Sequence, residues 1–219
     1  ATIDAVLREA GGFRMGPLEL MDLIGHDVNF SVTQSVFGAY FNDPRFTPSV
    51  LQQEMVNAGF LGRKSGRGFY SYGEGAAIPA AREESAQPRP EVVALSSAVG
   101  SDGRGHTGVI HALVRRLEAS GINVTSRVTL EGQVSDTAPA LHCNGAAIYL
   151  TDGRSATQRA QDNNHADTVL FDLALDYATA KRVALARADQ CGDEAYAAVV
   201  GLFQAAGFAV TRLDDVPGL

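Results

Sequence analysis

The spacing of apolar residues changes once along this chain, and the change falls at a segment with little to bury. Before it, Met21, Ile24, Val28, Val32, Val36 and Tyr40 recur at intervals of three and four, the repeat of one helix face. After it, short apolar runs such as Val92–Leu95, Ala146–Leu150 and Thr168–Leu173 alternate with longer amphipathic stretches. That alternation is the pattern of strands joined by helices in a parallel sheet. Between the two regions, residues 73–91 hold Gly73-Glu74-Gly75 and Pro79, Pro88 and Pro90 among Ala, Arg, Glu, Ser and Gln. Such a composition reads as a linker. The pattern predicts an α + α/β chain: an all-helical domain over 1–72, a linker over 73–91 and a parallel α/β domain over 92–219.

In the helical part, Thr2 or Asp4 can cap a first helix that runs through Arg8 and stops at Gly11-Gly12. A long helix is expected from Gly16, with Pro17 in the first position, where its missing N–H costs nothing. Glu19 and Asp22 suit the positive end of its dipole, and Asn42-Asp43-Pro44 ends it near Tyr40. A third helix, Ser49–Ala58, closes at Gly59 as a left-handed cap. The apolar stripe is long for so small a unit, so part of it is expected to pack on another domain or subunit.

In the second part, strands are expected at Val92–Leu95, Ile122–Val128, Ala146–Leu150, Thr168–Leu173, Arg182–Ala186 and Phe208–Leu213, with helices at His106–Ser120 and Asp193–Ala206. A dinucleotide fold carries Gly-x-Gly-x-x-Gly after its first strand. Gly103-Arg104-Gly105-His106-Thr107-Gly108 meets that spacing, but the loop before it is long and His106-Thr107 is unusual there. A turn with Thr107 as the helix cap is the favoured reading, with nucleotide binding the alternative.

The remaining motifs exclude more than they assign. Gly62-Arg63-Lys64-Ser65 fails the phosphate-loop pattern because Arg63 separates the glycine from the lysine, although Arg63, Lys64 and Arg67 could still lie near substrate phosphates. His26, His106, His111, His142 and His165 show no metal-ligand spacing, so no metal is expected. Asp152, Asp162, Asp167, Asp172 and Asp176 are scattered and read as solvated or capping groups. Cys143 and Cys191 read as reduced thiols, Asn123-Val124-Thr125 as a chance sequon, and no Gly-x-Ser-x-Gly occurs. A net charge of −7 disfavours nucleic acid and anionic membranes, and no apolar run approaches the ~20 residues of a membrane span. The start, Ala1-Thr2-Ile3-Asp4, has neither a methionine nor the pattern of a signal peptide, so the chain is expected to begin inside a longer protein or after processing, and to be cytoplasmic.

Several elements in order carry a resemblance. They are Ile3-Asp4, Gly12-Phe13-Arg14-Met15-Gly16-Pro17 with Glu19-Leu20-Met21-Asp22, Gly25-His26-Asp27, Asp43-Pro44-Arg45-Phe46, and Gly62-Arg63-Lys64-Ser65-Gly66-Arg67-Gly68-Phe69-Tyr70. Together residues 2–72 resemble the C-terminal helical domain of the 3-hydroxyacyl-CoA dehydrogenases, a fold like the C-terminal domain of 6-phosphogluconate dehydrogenase. The second half resembles the degenerate Rossmann-like region of long bacterial members, including those of phenylacetate catabolism, with Asp214-Asp215-Val216-Pro217-Gly218 like the junction into a second helical domain. The resemblance implies an NAD-dependent enzyme that oxidises 3-hydroxyacyl-CoA to 3-ketoacyl-CoA in fatty-acid or phenylacetate catabolism. Its catalytic histidine, glutamate and asparagine would all precede residue 1, so neither catalytic nor cofactor-binding residues are expected here. The helical domain is implied to cover the acyl chain and form a homodimer, with Phe13, Met15 and Pro17 nearest the acyl-CoA substrate or, alternatively, only packing the helix start. A non-catalytic binding or scaffold module is the other functional reading.

Overall fold

The computed structural model describes residues 1–96, 107–127 and 138–216. Two compact units emerge, Ala1–Arg8 with Phe13–Ala81, and Glu9–Gly12 with Arg82–Leu219.

The first unit is helical: α1 (Thr2–Glu9), α2 (Pro17–Ile24), α3 (His26–Ala39) and α4 (Val50–Asn57). The long helix expected from Gly16 to Tyr40 is two helices. Gly25 lies between them at φ +105°, a value outside the helical region that a side chain disfavours. The break redirects the backbone, and the His26 N–H donates to Leu61 O at 3.3 Å rather than back along the helix. The break also turns the apolar stripe outward. On α3, Phe30, Thr33 and Phe37 are partly buried, whereas Val28, Val32, Val36 and Tyr40 are exposed. Gly59 closes α4 at φ +71°, the left-handed cap expected of it.

The second unit holds a seven-stranded sheet in the order β2-β1-β3-β4-β5-β6-β7. The strands are β1 (Val92–Ser96), β2 (Asn123–Arg127), β3 (Leu141–Cys143), β4 (Ala146–Leu150), β5 (Thr168–Phe171), β6 (Arg182–Arg187) and β7 (Ala209–Arg212). Three strand–helix–strand units supply its parallel pairs: β1–α5–β2, β4–α6–β5 and β6–α7–β7, with α5 at Thr107–Ala119, α6 at Ala156–Asp162 and α7 at Asp193–Ala205. The units join antiparallel, through β1–β3, β3–β4 and β5–β6. The α/β class therefore holds, but the sheet is mixed where a parallel one was expected. The reason is local. Asn144 (φ 45°) and Gly145 (φ 87°) form a two-residue turn that folds β3 back onto β4, and no helix crosses between β5 and β6, so the chain returns antiparallel.

The core of this unit lies between the sheet and α5 and α7, with Val93, Leu113, Leu117, Leu141, Ile148, Leu185 and Leu202 buried. Phe171, Tyr177, Phe203 and Phe208 pack as tilted and edge-to-face rings 5.6–6.5 Å apart. Arg182 is buried and satisfied, pairing with Glu9 at 3.0 Å and Glu83 at 2.7 Å and donating to Thr211 Oγ1 at 2.7 Å. Part of the proline-rich segment read as linker lies on this unit. Glu84 N donates to Val210 O at 2.8 Å, Gln87 N to Gln204 Oε1 at 2.9 Å, and Asn123 N to Glu91 O at 3.0 Å.

Candidate functional surface of the helical unit

The turn before α2 is held by a residue from α1. Asp4, buried, accepts from Leu18 N at 2.8 Å and Glu19 N at 3.1 Å, satisfying first-turn amides of α2 with a negative charge at the positive end of its dipole. Tyr70 Oη donates to the same carboxylate at 2.6 Å. Burial, then that bond, pushes the Tyr70 hydroxyl well above its usual range. Glu19 accepts from Gly16 N at 3.3 Å and pairs with Arg8. Of the three residues expected at the acyl chain, Phe13 projects from this turn 60% exposed, while Met15 and Pro17 are half-buried.

Asp22, read from sequence as a helix-dipole residue, is instead the centre of a buried network. Its Oδ1 accepts from Phe69 N at 2.8 Å and faces His26 Nε2 at 2.7 Å; its Oδ2 accepts from Tyr70 N at 2.9 Å and Tyr72 Oη at 2.9 Å. Burial alone would raise its pKa, but the bonds from Tyr70, Phe69, His26 and Tyr72 outweigh it and hold the carboxyl below the usual range. Because the carboxylate accepts, His26 donates through Nε2–H; its Nδ1 is buried with no partner among the described residues. Phe69 stands edge-on to the His26 ring at 4.8 Å. Gly68 must be glycine, since a Cβ there would overlap the Asp22 carboxylate. Thus the Gly59–Tyr72 stretch is a strap bound to α2. Sequence reasoning missed this network; the signal available was Asp22 and His26 four residues apart, on either side of Gly25.

The basic side chains of the strap point to solvent. Arg67 lies over the Phe60 ring at 3.9 Å, Arg63 over Tyr72 at 5.5 Å, and Lys64 pairs with Asp27. Beside them runs an exposed apolar face: Leu20, Leu23 and Ile24 on α2, then Val28, Val32 (55% exposed), Val36 and Tyr40 along α3. It ends at Phe41, 93% exposed and held with Asn42 at positive φ, 55° and 62°. A non-glycine pair in that region is a strained way to present an aromatic ring.

In the α/β unit, Gly103, Gly105 and His106 of the fingerprint-like stretch lie outside the described residues. A bound dinucleotide needs a carboxylate near the end of the second strand to hold its ribose. Here β2 ends Thr125-Ser126-Arg127, with no carboxylate among the described residues of that strand. Among the described residues, no three His, Cys, Asp or Glu are grouped to hold a metal. Cys143 and Cys191 are free and buried, and burial pushes each thiol up to about 11.

Residues 1–72 match the family described as 3-hydroxyacyl-CoA dehydrogenase, C-terminal domain, and residues 148–217 match the 3-hydroxybutyryl-CoA dehydrogenase reduced Rossmann-fold domain. The chain is 61% identical over 70 residues to the 3-hydroxyadipyl-CoA dehydrogenase of Escherichia coli K12, a match covering 32% of this chain and 15% of that protein. It is 43% identical over 70 residues to a probable 3-hydroxybutyryl-CoA dehydrogenase of Deinococcus radiodurans, covering 32% of this chain and 25% of that one. The crystal structure of 3-hydroxybutyryl-CoA dehydrogenase from E. coli K12 superposes with a TM-score of 0.65 at 32% identity, covering all of this chain and 37% of that one. The chain therefore spans well under half the length of these relatives. In this order, its two matched regions are two domains of the 3-hydroxyacyl-CoA dehydrogenase family.

Proposed function

We propose that this chain serves as the substrate-covering and dimerising portion of an NAD-dependent 3-hydroxyacyl-CoA dehydrogenase, which oxidises 3-hydroxyacyl-CoA to 3-ketoacyl-CoA. The observation that carries this reading is the set of large apolar side chains left exposed along α2 and α3, from Leu20 to Phe41, on a unit with a small interior. A contiguous apolar face on a folded unit marks an interaction surface. Phe13 and Met15 sit in the turn beside α2, where an aromatic ring and a flexible thioether suit an acyl chain of variable length. The relative at 61% identity is named for 3-hydroxyadipyl-CoA, which favours a place in phenylacetate or fatty-acid catabolism, in the cytoplasm. The hydride acceptor NAD, when bound, supplies the redox chemistry; its site and the catalytic residues are assigned to no residue of this chain.

Two measurements test the reading. Sedimentation of the 219-residue chain is expected to show a dimer that Val32→Asp converts to a folded monomer; a wild-type monomer at all concentrations would refute pairing. Saturation-transfer NMR with acetoacetyl-CoA is expected to show transfer to the acyl protons, reduced by Phe13→Ala. Absence of transfer would remove the substrate-covering role.

A further inference from the structure

The loop at Gly62–Arg67 has a construction that the dimer face does not explain. Gly62 N donates to Arg67 O at 2.8 Å and Arg67 N donates to Gly62 O at 3.1 Å, so Arg63, Lys64, Ser65 and Gly66 form the crown of a closed loop. Ser65 Oγ ties the crown down, donating to Arg67 O at 2.9 Å and accepting from Leu61 N at 2.8 Å. Behind it, Asp22 holds Phe69 and Tyr70 by their backbone amides. Three cations therefore ride on one short, fixed loop, and no acid occurs between Phe60 and Tyr72, in a chain whose net charge is −7.

The two arginines are pre-oriented. The Arg67 guanidinium lies over the Phe60 ring at 3.9 Å, and that of Arg63 over Tyr72 at 5.5 Å. A guanidinium stacked on a ring keeps N–H groups along its rim for bidentate contact with a planar or tetrahedral anion, and loses less side-chain freedom on binding than an unstacked one. Lys64 is already matched by Asp27, and among the described residues neither Arg63 nor Arg67 forms an ion pair. Exposed and carried on one closed loop, both guanidinium groups are open to an anion.

We propose that Arg63 and Arg67 form an anion site for the phosphate groups of coenzyme A, the part of the acyl-CoA substrate remote from the reacting carbon. This rests on the acyl-CoA reading above. The test is an amide chemical-shift titration of the full chain with coenzyme A, inorganic pyrophosphate and pantetheine, which lacks phosphate. Coenzyme A is expected to move the amides of Arg63, Lys64, Gly66 and Arg67, and pantetheine to leave them in place. Arg63→Gln with Arg67→Gln is expected to weaken coenzyme A about tenfold or more, given the usual strength of charge-assisted bonds. Arg63→Lys with Arg67→Lys should keep part of the affinity, and Arg45→Gln, on another exposed loop, all of it. Unshifted Phe69 and Tyr70 amides would report that the strap remains folded in each variant. The proposal is overturned if coenzyme A moves only other residues, if pyrophosphate binds the loop and coenzyme A does not, or if the glutamine variant binds within twofold of wild type. Acyl saturation transfer that survives in that variant with full affinity would sink the anion site and leave the substrate-covering role intact.

Discussion

Replacing Asp22 by asparagine tests whether a single carboxylate holds the strap to α2. Asp22 satisfies four donors with two oxygens, two on each. Asparagine keeps one acceptor oxygen and presents an NH₂ in place of the other. If the NH₂ takes the Oδ1 position, it faces Phe69 N–H and His26. The histidine could switch tautomer, but its Nδ1–H would then be buried without an acceptor among the described residues. If it takes the Oδ2 position, it faces Tyr70 N–H and the Tyr72 hydroxyl. The hydroxyl can rotate to accept; the amide cannot. The second arrangement is cheaper, and it still strands one buried amide, at about 1–3 kcal/mol. The surviving bonds also lose the assistance of the charge, which roughly halves such bonds. The expected loss is about 3 kcal/mol, so amide exchange at Phe69 and Tyr70 should accelerate on the order of a hundredfold. The pH dependence gives a second reading of the same carboxylate. Its folded pKa lies below the unfolded value, so its contribution is complete above about pH 4 and is lost as pH falls through the lowered folded value. Wild type and Asp22→Asn should differ at neutral pH and converge in acid. Exchange at both amides within threefold of wild type at pH 7 would refute the assignment of the strap to this carboxylate.

Two further substitutions probe the α/β unit. Asp215 accepts from Ala156 N and from Thr157 N (2.8 Å), acting as an anchor at the start of α6. Asp215→Ala should cost about 1 kcal/mol, seen as a melting temperature lower by roughly 2–4 °C in calorimetry. Gly145→Val places a β-branched residue at φ 87° in the β3–β4 turn. It should destabilise the hairpin by about 1–3 kcal/mol and speed amide exchange at Leu141 and Cys143, while unchanged exchange there would mean the turn does not set the pairing.

What the sequence discloses follows from how local each signal is. The caps and stops are local, so Pro17, Gly59 and the ends of α7 are legible from a few residues each. The antiparallel pairing of β3 was legible in principle, because Asn144-Gly145 between apolar residues is a strong hairpin signal, but β3 is only three residues long and was not read as a strand. The break at Gly25 was harder. The apolar period runs through it unbroken, and one glycine inside a helical pattern is usually tolerated. Of the Asp22 network only the His26 spacing was legible, since the other partners lie 47 to 50 residues away. An aspartate near a helix start looks the same whether it faces solvent or a strap that returns from the far end of the domain.

The same network explains why the apolar period misleads about the core. In the helical unit the positions closest to the centre are taken by Asp4, Asp22 and His26, each at most 1% exposed, with Tyr70 beside them. Hydrogen bonds close that interior, and there is little volume in it for Val28, Val32 or Val36. Periodicity shows that residues share a face, but not which side of the helix is inside. With a polar centre fixing α2, α3 and the strap, the apolar face must lie outside, where each fully covered valine would contribute roughly 1.5–3 kcal/mol. Shape and stickiness thus have separate sources: buried carboxylates set the unit's shape, and the exposed valines, with Phe41 at their end, would supply the energy of the proposed association. A variant of the face should therefore change self-association while leaving exchange at Phe69 and Tyr70 untouched, and a variant of Asp22 should loosen the strap first.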